Sequence, residues 1–170
     1  AVELGLESSS GMLNIDAAKT CEIACLTVPF AHQESTLLSI DNGLLNKIMI
    51  DATVPLMPPK VMRVQLPEVG SAALNAQLIL GENTTVVSAF QNISAELLQT
   101  DAEIDCDVLV AGDLLDARNI VIELAADAGL TGWHAGPLCN SVAAEALTSI
   151  LIAINKKHSL AHSGIKVTGH

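Results

Sequence analysis

Apolar runs of strand length alternate along this chain with stretches whose leucines and alanines recur at helical spacing. The first run, Glu22 to Val28, is continuous and stops at Pro29, the pattern of a strand buried on both faces of a parallel sheet. His32 to Leu45 carries Leu37, Leu38, Leu44 and Leu45 at helix-compatible positions, and Lys47 to Ala52 (KIMIDA) is a second strand. Pro55, Pro58 and Pro59 make Val54 to Leu66 a loop or lid, because proline neither donates to a ladder nor continues a helix. Glu68 to Leu80 predicts a helix ending at Gly81, Thr84 to Phe90 and Cys106 to Ala111 two β-branched strands, and Leu114 to Ala128 a helix stopped by Gly129. Leu130 to Ala135 is a weak final strand. Asn140 to Lys157 is the most strongly helical segment, with Asn140 or Ser141 as cap and Lys156 and Lys157 where the macrodipole favours cations. Its apolar residues run nearly all round, which predicts a core position or a contact with a second subunit. The alternation predicts an α/β fold, a parallel sheet with helices on both faces.

Composition narrows the function classes. Eight Lys+Arg against nineteen Asp+Glu give a net charge of −11, so the chain repels a phosphate backbone. Phe30, Phe90 and Trp133 are its only aromatic residues, too few to stack unpaired bases, and nucleic acid is excluded as a partner. The mean hydropathy is +0.46, yet His, Asn, Gly and Pro break every uncharged run before it reaches the roughly 18 to 20 apolar residues of a membrane span. The reading is therefore a cytoplasmic protein without a membrane segment. Cys21, Cys25, Cys106 and Cys139 lack metal spacing and read as reduced, buried thiols.

Catalytic signatures are missing. The chain has no G-x-G-x-x-G, no G-x-x-x-x-G-K-[ST], no G-x-S-x-G and no H-E-x-x-H. His32, His134, His158, His162 and His170 are scattered and read as non-catalytic, and Asp101, Glu103, Asp105 and Asp107 read as a solvated turn rather than a metal site. What remains are four strand ends rich in small, polar or proline residues: Thr27-Val28-Pro29, Asp51 to Pro55, Ser88 to Asn92, and Ala135 to Leu138. In open parallel sheets, ligands bind in the crevice beyond such carboxyl ends.

The segments SGMLNIDAAKTCEIACLTVP (Ser10 to Pro29), VVSAFQNISAELL (Val86 to Leu98), DVLVAGDLLDAR (Asp107 to Arg118) and AGPLCNSVAAEALTSILIAIN (Ala135 to Asn155) resemble the F420-dependent NADP oxidoreductases. SGIKV (Ser163 to Val167) matches in kind, and the AGPL-x-NS stretch before an apolar helix is the most specific part. The resemblance implies a partial Rossmann-like domain over residues 1–134 that holds NADP. It also implies a C-terminal helical segment, residues 135–170, that closes a cleft over the deazaflavin coenzyme F420. The implied reaction is hydride transfer between the two small-molecule cofactors, with no catalytic side chain and no metal. By the same resemblance, Thr27, Val28 and Pro29 line the nicotinamide side, and Thr53 and Val54 shape the next strand end. Gln91, Asn92, Ile93 and Ser94 with Gly136, Pro137 and Leu138 border the deazaflavin, and Asn140 holds the helix start near that ring.

Members of that family begin with a strand, a glycine-rich turn and a helix that hold the pyrophosphate. None of these is present here, and Ala1 to Gly11 resembles the stretch that normally succeeds that first unit. The expectation is a fragment and, as part of a whole enzyme, a homo-oligomer, most simply a homodimer. The competing readings are another NAD(P)-dependent reductase of a small substrate, and a degenerate Rossmann-like module kept for binding or dimerisation.

Overall fold

The computed structural model describes residues 11–100 and 102–169. Among them are five strands, β1 (Ile23–Leu26), β2 (Ile48–Asp51), β3 (Thr85–Ser88), β4 (Asp107–Ala111) and β5 (Thr131–Gly136), joined in one sheet in the order β1-β2-β3-β4-β5. The helices are α1 (Asn14–Thr20), α2 (Gln33–Ile40), α3 (Ala72–Leu80), α4 (Leu115–Asp127) and α5 (Ser141–His158).

Side chains alternate across the strands and sort into two cores. Met49 and Val86 face Leu37, Ala73 and Ala76 of α2 and α3, whereas Ile50, Val87 and Val110 face Ala117, Val121 and Ala125 of α4. The sheet therefore has helices on both faces, as the sequence predicts. α1 is an element that the hydrophobic pattern does not reveal; it is 7 residues long, and its C-terminal carbonyls, Ala18 and Lys19, accept from the Lys47 ammonium at 2.6 and 2.8 Å.

Three expectations are corrected. β1, β2 and β3 run parallel and so do β4 and β5, but β4 opposes β3, meeting it only where Ser88 faces Ala111. The reason lies between them: Ala89 to Cys106 contains a short 3-10 turn at Leu97–Gln99 in place of a crossover helix, and a parallel return requires a crossover. β1 is not buried on both faces. Among the described residues no strand pairs with its outer edge, and a groove of about 320 Å³ lined by Asn14, Cys21, Ala24 and Cys25 lies along it. Cys25 and Cys139 are exposed and Cys21 and Cys106 half-buried, so the thiols are free but not the buried thiols expected.

α5 inverts the usual amphipathic arrangement. Ser141, Ala144, Glu145 and Ser149 point inward and are buried, while Ile150 and Ile154 on the outer face are 45% and 37% exposed. By length and composition the stretch Leu138–His158 could cross a membrane, with a mean hydropathy of 1.4. Its inner face is instead occupied by a buried acid bonded to α3. Neither Asn140 nor Ser141 caps it through a side chain.

Candidate functional site

The carboxyl ends of β1 and β2 each run into Thr-Val-Pro, and a proline that cannot extend the ladder turns both chains away from the sheet. Between them opens a cavity of about 490 Å³ walled by Val28, Pro29, Phe30, Val54, Leu56 and Val61. Thr27, Ala31, Ala52, Thr53 and Pro58 complete it, and no titratable side chain lines it. Leu56, Pro58 and Val61 bring the proline-rich loop to its wall.

Behind the β2 wall lies a buried polar knot. The Asp51 carboxylate, 0% exposed, accepts from the Thr53 N–H at 2.8 Å, from the Thr53 hydroxyl, and from Gln33 Nε2 at 2.6 Å. Gln33 Nε2 also reaches the Ala72 carbonyl at 2.9 Å, and its Oε1 accepts from Asn75 Nδ2 at 3.0 Å. Glu145 of α5 accepts from the N–H groups of Ala72 and Ala73 at 2.6 and 3.1 Å, so the start of α3 is held by a carboxylate from another helix, where the dipole favours it. Ser71 caps α3 by accepting from the Leu74 N–H and meets Ser141 Oγ at 2.7 Å. Burial pushes both carboxyls up to about 7 against the hydrogen bonds that favour the ionised forms, and the Asp51 charge adds to the rise at Glu145.

The β3 end leads to a second, smaller cavity of about 160 Å³ between Gln91–Ser94 and α5, with Thr148, Asn155 and His162 on its walls. Gln91 and Asn92 are buried and committed: Gln91 Nε2 donates to the Asp51 carbonyl and to Ser88 Oγ, Asn92 Nδ2 to the Ala144 carbonyl. Ser94 Oγ and His162 Nδ1 share a hydrogen bond of 2.9 Å that ties the C-terminal segment to this loop. The β5 end lines neither cavity. Gly136 has φ +90°, Asn140 Nδ2 reaches the Ala135 carbonyl at 2.7 Å across the turn, and Leu138 is 1% exposed in the α2–α3 core.

A curated F420-dependent NADP reductase of Methanothermobacter marburgensis is 37% identical over 164 residues, spanning 93% of this chain and 73% of that protein. The chain belongs to the F420-dependent NADP reductase family. The reductase of the same name from Methanocaldococcus jannaschii is 36% identical over 163 residues, 93% of this chain and 73% of its own length. A crystal structure from Arthrobacter sp. FB24, provisionally assigned as an F420-dependent NADP reductase, superposes with a TM-score of 0.83 at 21% identity over 93% of this chain and 74% of that one, a likeness of fold. No protein-family model matches the chain.

Within this reductase-family fold, Thr27, Val28, Pro29, Thr53 and Val54 come together at one cavity, and Gln91, Asn92, Ile93 and Ser94 at the other. Gly136, Pro137, Leu138 and Asn140 form a turn that lines neither cavity, with Leu138 buried and Pro137 and Asn140 exposed. The acidic cluster is not a solvated turn throughout: Asp107 is buried and accepts from Trp133 Nε1 and the Val167 N–H, while Asp101 and the tail residue His170 lie outside the described residues, as does Ala1 to Ser10. Among the described residues no cluster of potential ligands could hold a metal. Sequence reasoning passed over Gln33 and Glu145. The available signal was an acid inside an apolar helix, since a carboxylate is rarely placed there without a partner.

Proposed function

We propose that this chain serves hydride transfer between NADP(H) and the deazaflavin coenzyme F420. The observation that carries the reading is an apolar cavity without titratable lining at the β1 and β2 ends, in a chain of the F420-dependent NADP reductase family. When bound, the two ring systems supply the hydride donor and acceptor. The chain then needs only to orient them and exclude water, and a wall of Val, Pro, Phe and Leu suits that work.

In this reading Thr27, Val28, Pro29, Thr53 and Val54 hold the nicotinamide side. Gln91 to Ser94 border the deazaflavin, and the turn of Gly136 to Leu138 with Asn140 sets where α5 begins beside it. Residues 1–134 act as the NADP-binding part and 135–170 as the part that closes the deazaflavin cleft. A glycine-rich phosphate-binding unit would dock along the open edge of β1, and in a whole enzyme the outer face of α5 would pair with a second copy in a cytoplasmic homodimer.

Titrating F420 into the chain should quench the deazaflavin fluorescence saturably, and adding NADPH should bleach the absorbance of the oxidised deazaflavin. NADPH binding, followed by the nicotinamide fluorescence, that Val54→Asp leaves unchanged would place the nicotinamide elsewhere and overturn the site. Absence of both binding and turnover, in the chain and in a form extended by a glycine-rich unit, would overturn the function.

A further inference from the structure

Two cavities at neighbouring strand ends must keep a fixed separation if a ring in one is to face a ring in the other, and one residue is bonded to the walls of both. The Asp51 carboxylate holds Thr53, which lines the larger cavity, through both its N–H and its hydroxyl. The Asp51 carbonyl accepts from Gln91 Nε2 at 2.8 Å, and Gln91 lines the smaller cavity. Gln91 in turn accepts from Thr148 of α5 through its carbonyl at 2.9 Å. On the other side the carboxylate accepts from Gln33, which reaches the start of α3 that Glu145 clamps. We propose that Asp51 is a positioning residue that sets the two cavities relative to each other. The inference rests on the functional reading above for its effect on turnover, though not for its effect on the protein itself.

Asp51 is sealed from the cavities, so its contribution is to geometry. Only its ionised form accepts all three hydrogen bonds, since a proton on one oxygen turns an acceptor into a donor. The titratable groups that face it are the Cys25 thiol of β1 and the Glu145 carboxyl of α5; the groups that α2 and α3 contribute, Gln33 and Asn75, do not titrate. Turnover should therefore rise with pH as the carboxyl ionises around 7. Misaligning reacting groups costs rate rather than affinity, and about 1 Å is worth up to about a hundredfold.

The test uses Asp51→Asn, Thr53→Val and Thr53→Ser in the whole chain, with and without a glycine-rich extension, read in two ways. For turnover, Asp51→Asn and Thr53→Val should lower kcat at least about tenfold while KM for each cofactor moves less than about threefold. Asp51→Asn should also remove the rise in kcat around neutral pH, and Thr53→Ser, which keeps the hydroxyl, should restore most of the rate lost in Thr53→Val. For the protein alone, amide hydrogen exchange should quicken in both 52–56 and 89–94 in Asp51→Asn. An unchanged kcat, a loss confined to KM, or exchange that quickens in 52–56 alone would overturn the inference. If wild type transfers no hydride, the functional reading fails and the exchange result alone decides whether Asp51 joins the two walls. Should Asp51→Asn fail to fold, the Thr53→Val and Thr53→Ser pair decides by the same two readings.

Discussion

Three strand ends in this chain carry nearly the same residues, Thr-Val-Pro after β1, Thr-Val-Pro after β2 and Ala-Gly-Pro at the end of β5, and they do opposite things. The first two stand apart and leave an apolar hollow between them. The third is shut: Asn140 closes its turn, the Leu138 N–H is held by Asp113 at 2.9 Å, and the Leu138 side chain fills the core. The element on the far side of the proline does not make the difference, since Pro29 and Pro137 are each followed by a three-residue 3-10 turn and then a helix. What differs is the first side chain of that turn: Phe30 lines the cavity, whereas Leu138 turns into the core. A strand end with proline becomes a wall or a plug according to where the next side chain goes.

The strongest way to break this contrast is at the plug. Gly136→Val puts a β-branched residue at φ +90° and displaces the Asn140 amide, 2.8 Å from the new Cβ, from its bond across the turn, and should cost about 3 kcal/mol in urea unfolding. Leu138→Ala should cost about 3 kcal/mol by the same measurement, as for a leucine lost from a closed core. If the β5 end were an open wall like the others, Leu138→Ala would be nearly silent.

The polar knot behind the walls gives the next effect. Asp51 and Glu145 bind protons in the folded chain up to about pH 7, above their ordinary values of 3.8 and 4.5, so the folded state holds more protons than the unfolded state between about pH 4 and 7. Their contribution to stability is complete below about pH 4 and is lost as pH rises through 7, by on the order of 2–4 kcal/mol for each group. Unfolding curves of wild type and Asp51→Asn, or of wild type and Glu145→Gln, should converge or cross with rising pH by that amount; a pH-independent difference would contradict it.

At the open walls the effect moves from stability to binding. Val54→Asp should weaken cofactor binding about a hundredfold by setting a charge in an apolar cavity, while changing stability by less than about 1 kcal/mol, because Val54 is only half-buried. The smallest effect belongs to Ile150→Glu on the outer face of α5. It should leave the melting curve within about 0.5 kcal/mol of wild type and shift the elution volume of any oligomer.

The sequence made the element order and the two-faced sheet legible because short β-branched runs and alanine-leucine periodicity record burial directly. Thr27 to Pro29 and Thr53 to Val54, which stand out in the sequence as proline-bearing strand ends, come together at one cavity. The reversal at β4 was hidden, since apolar pattern marks which positions are buried and not which way the strand runs; the signal was the missing helix between Phe90 and Cys106. The knot was hidden for a related reason. Gln33, Asp51 and Glu145 lie far apart in the chain and become partners only in the fold, and nothing local to Gln33 distinguishes it from a solvated helix start. α5 misled most, because a helix apolar nearly all round gives no hint that serines and an acid will be chosen for its inner side.

That choice has a practical side. With aliphatic side chains turned outward and hydroxyls turned in, the longest helix of this chain is coated like a piece of core, so the purified protein should cling to hydrophobic resin, adsorb to plastic at low concentration, and keep better in mild detergent than in plain buffer. Strong salt, which usually quiets a protein of such negative charge, would here tighten the wrong contacts.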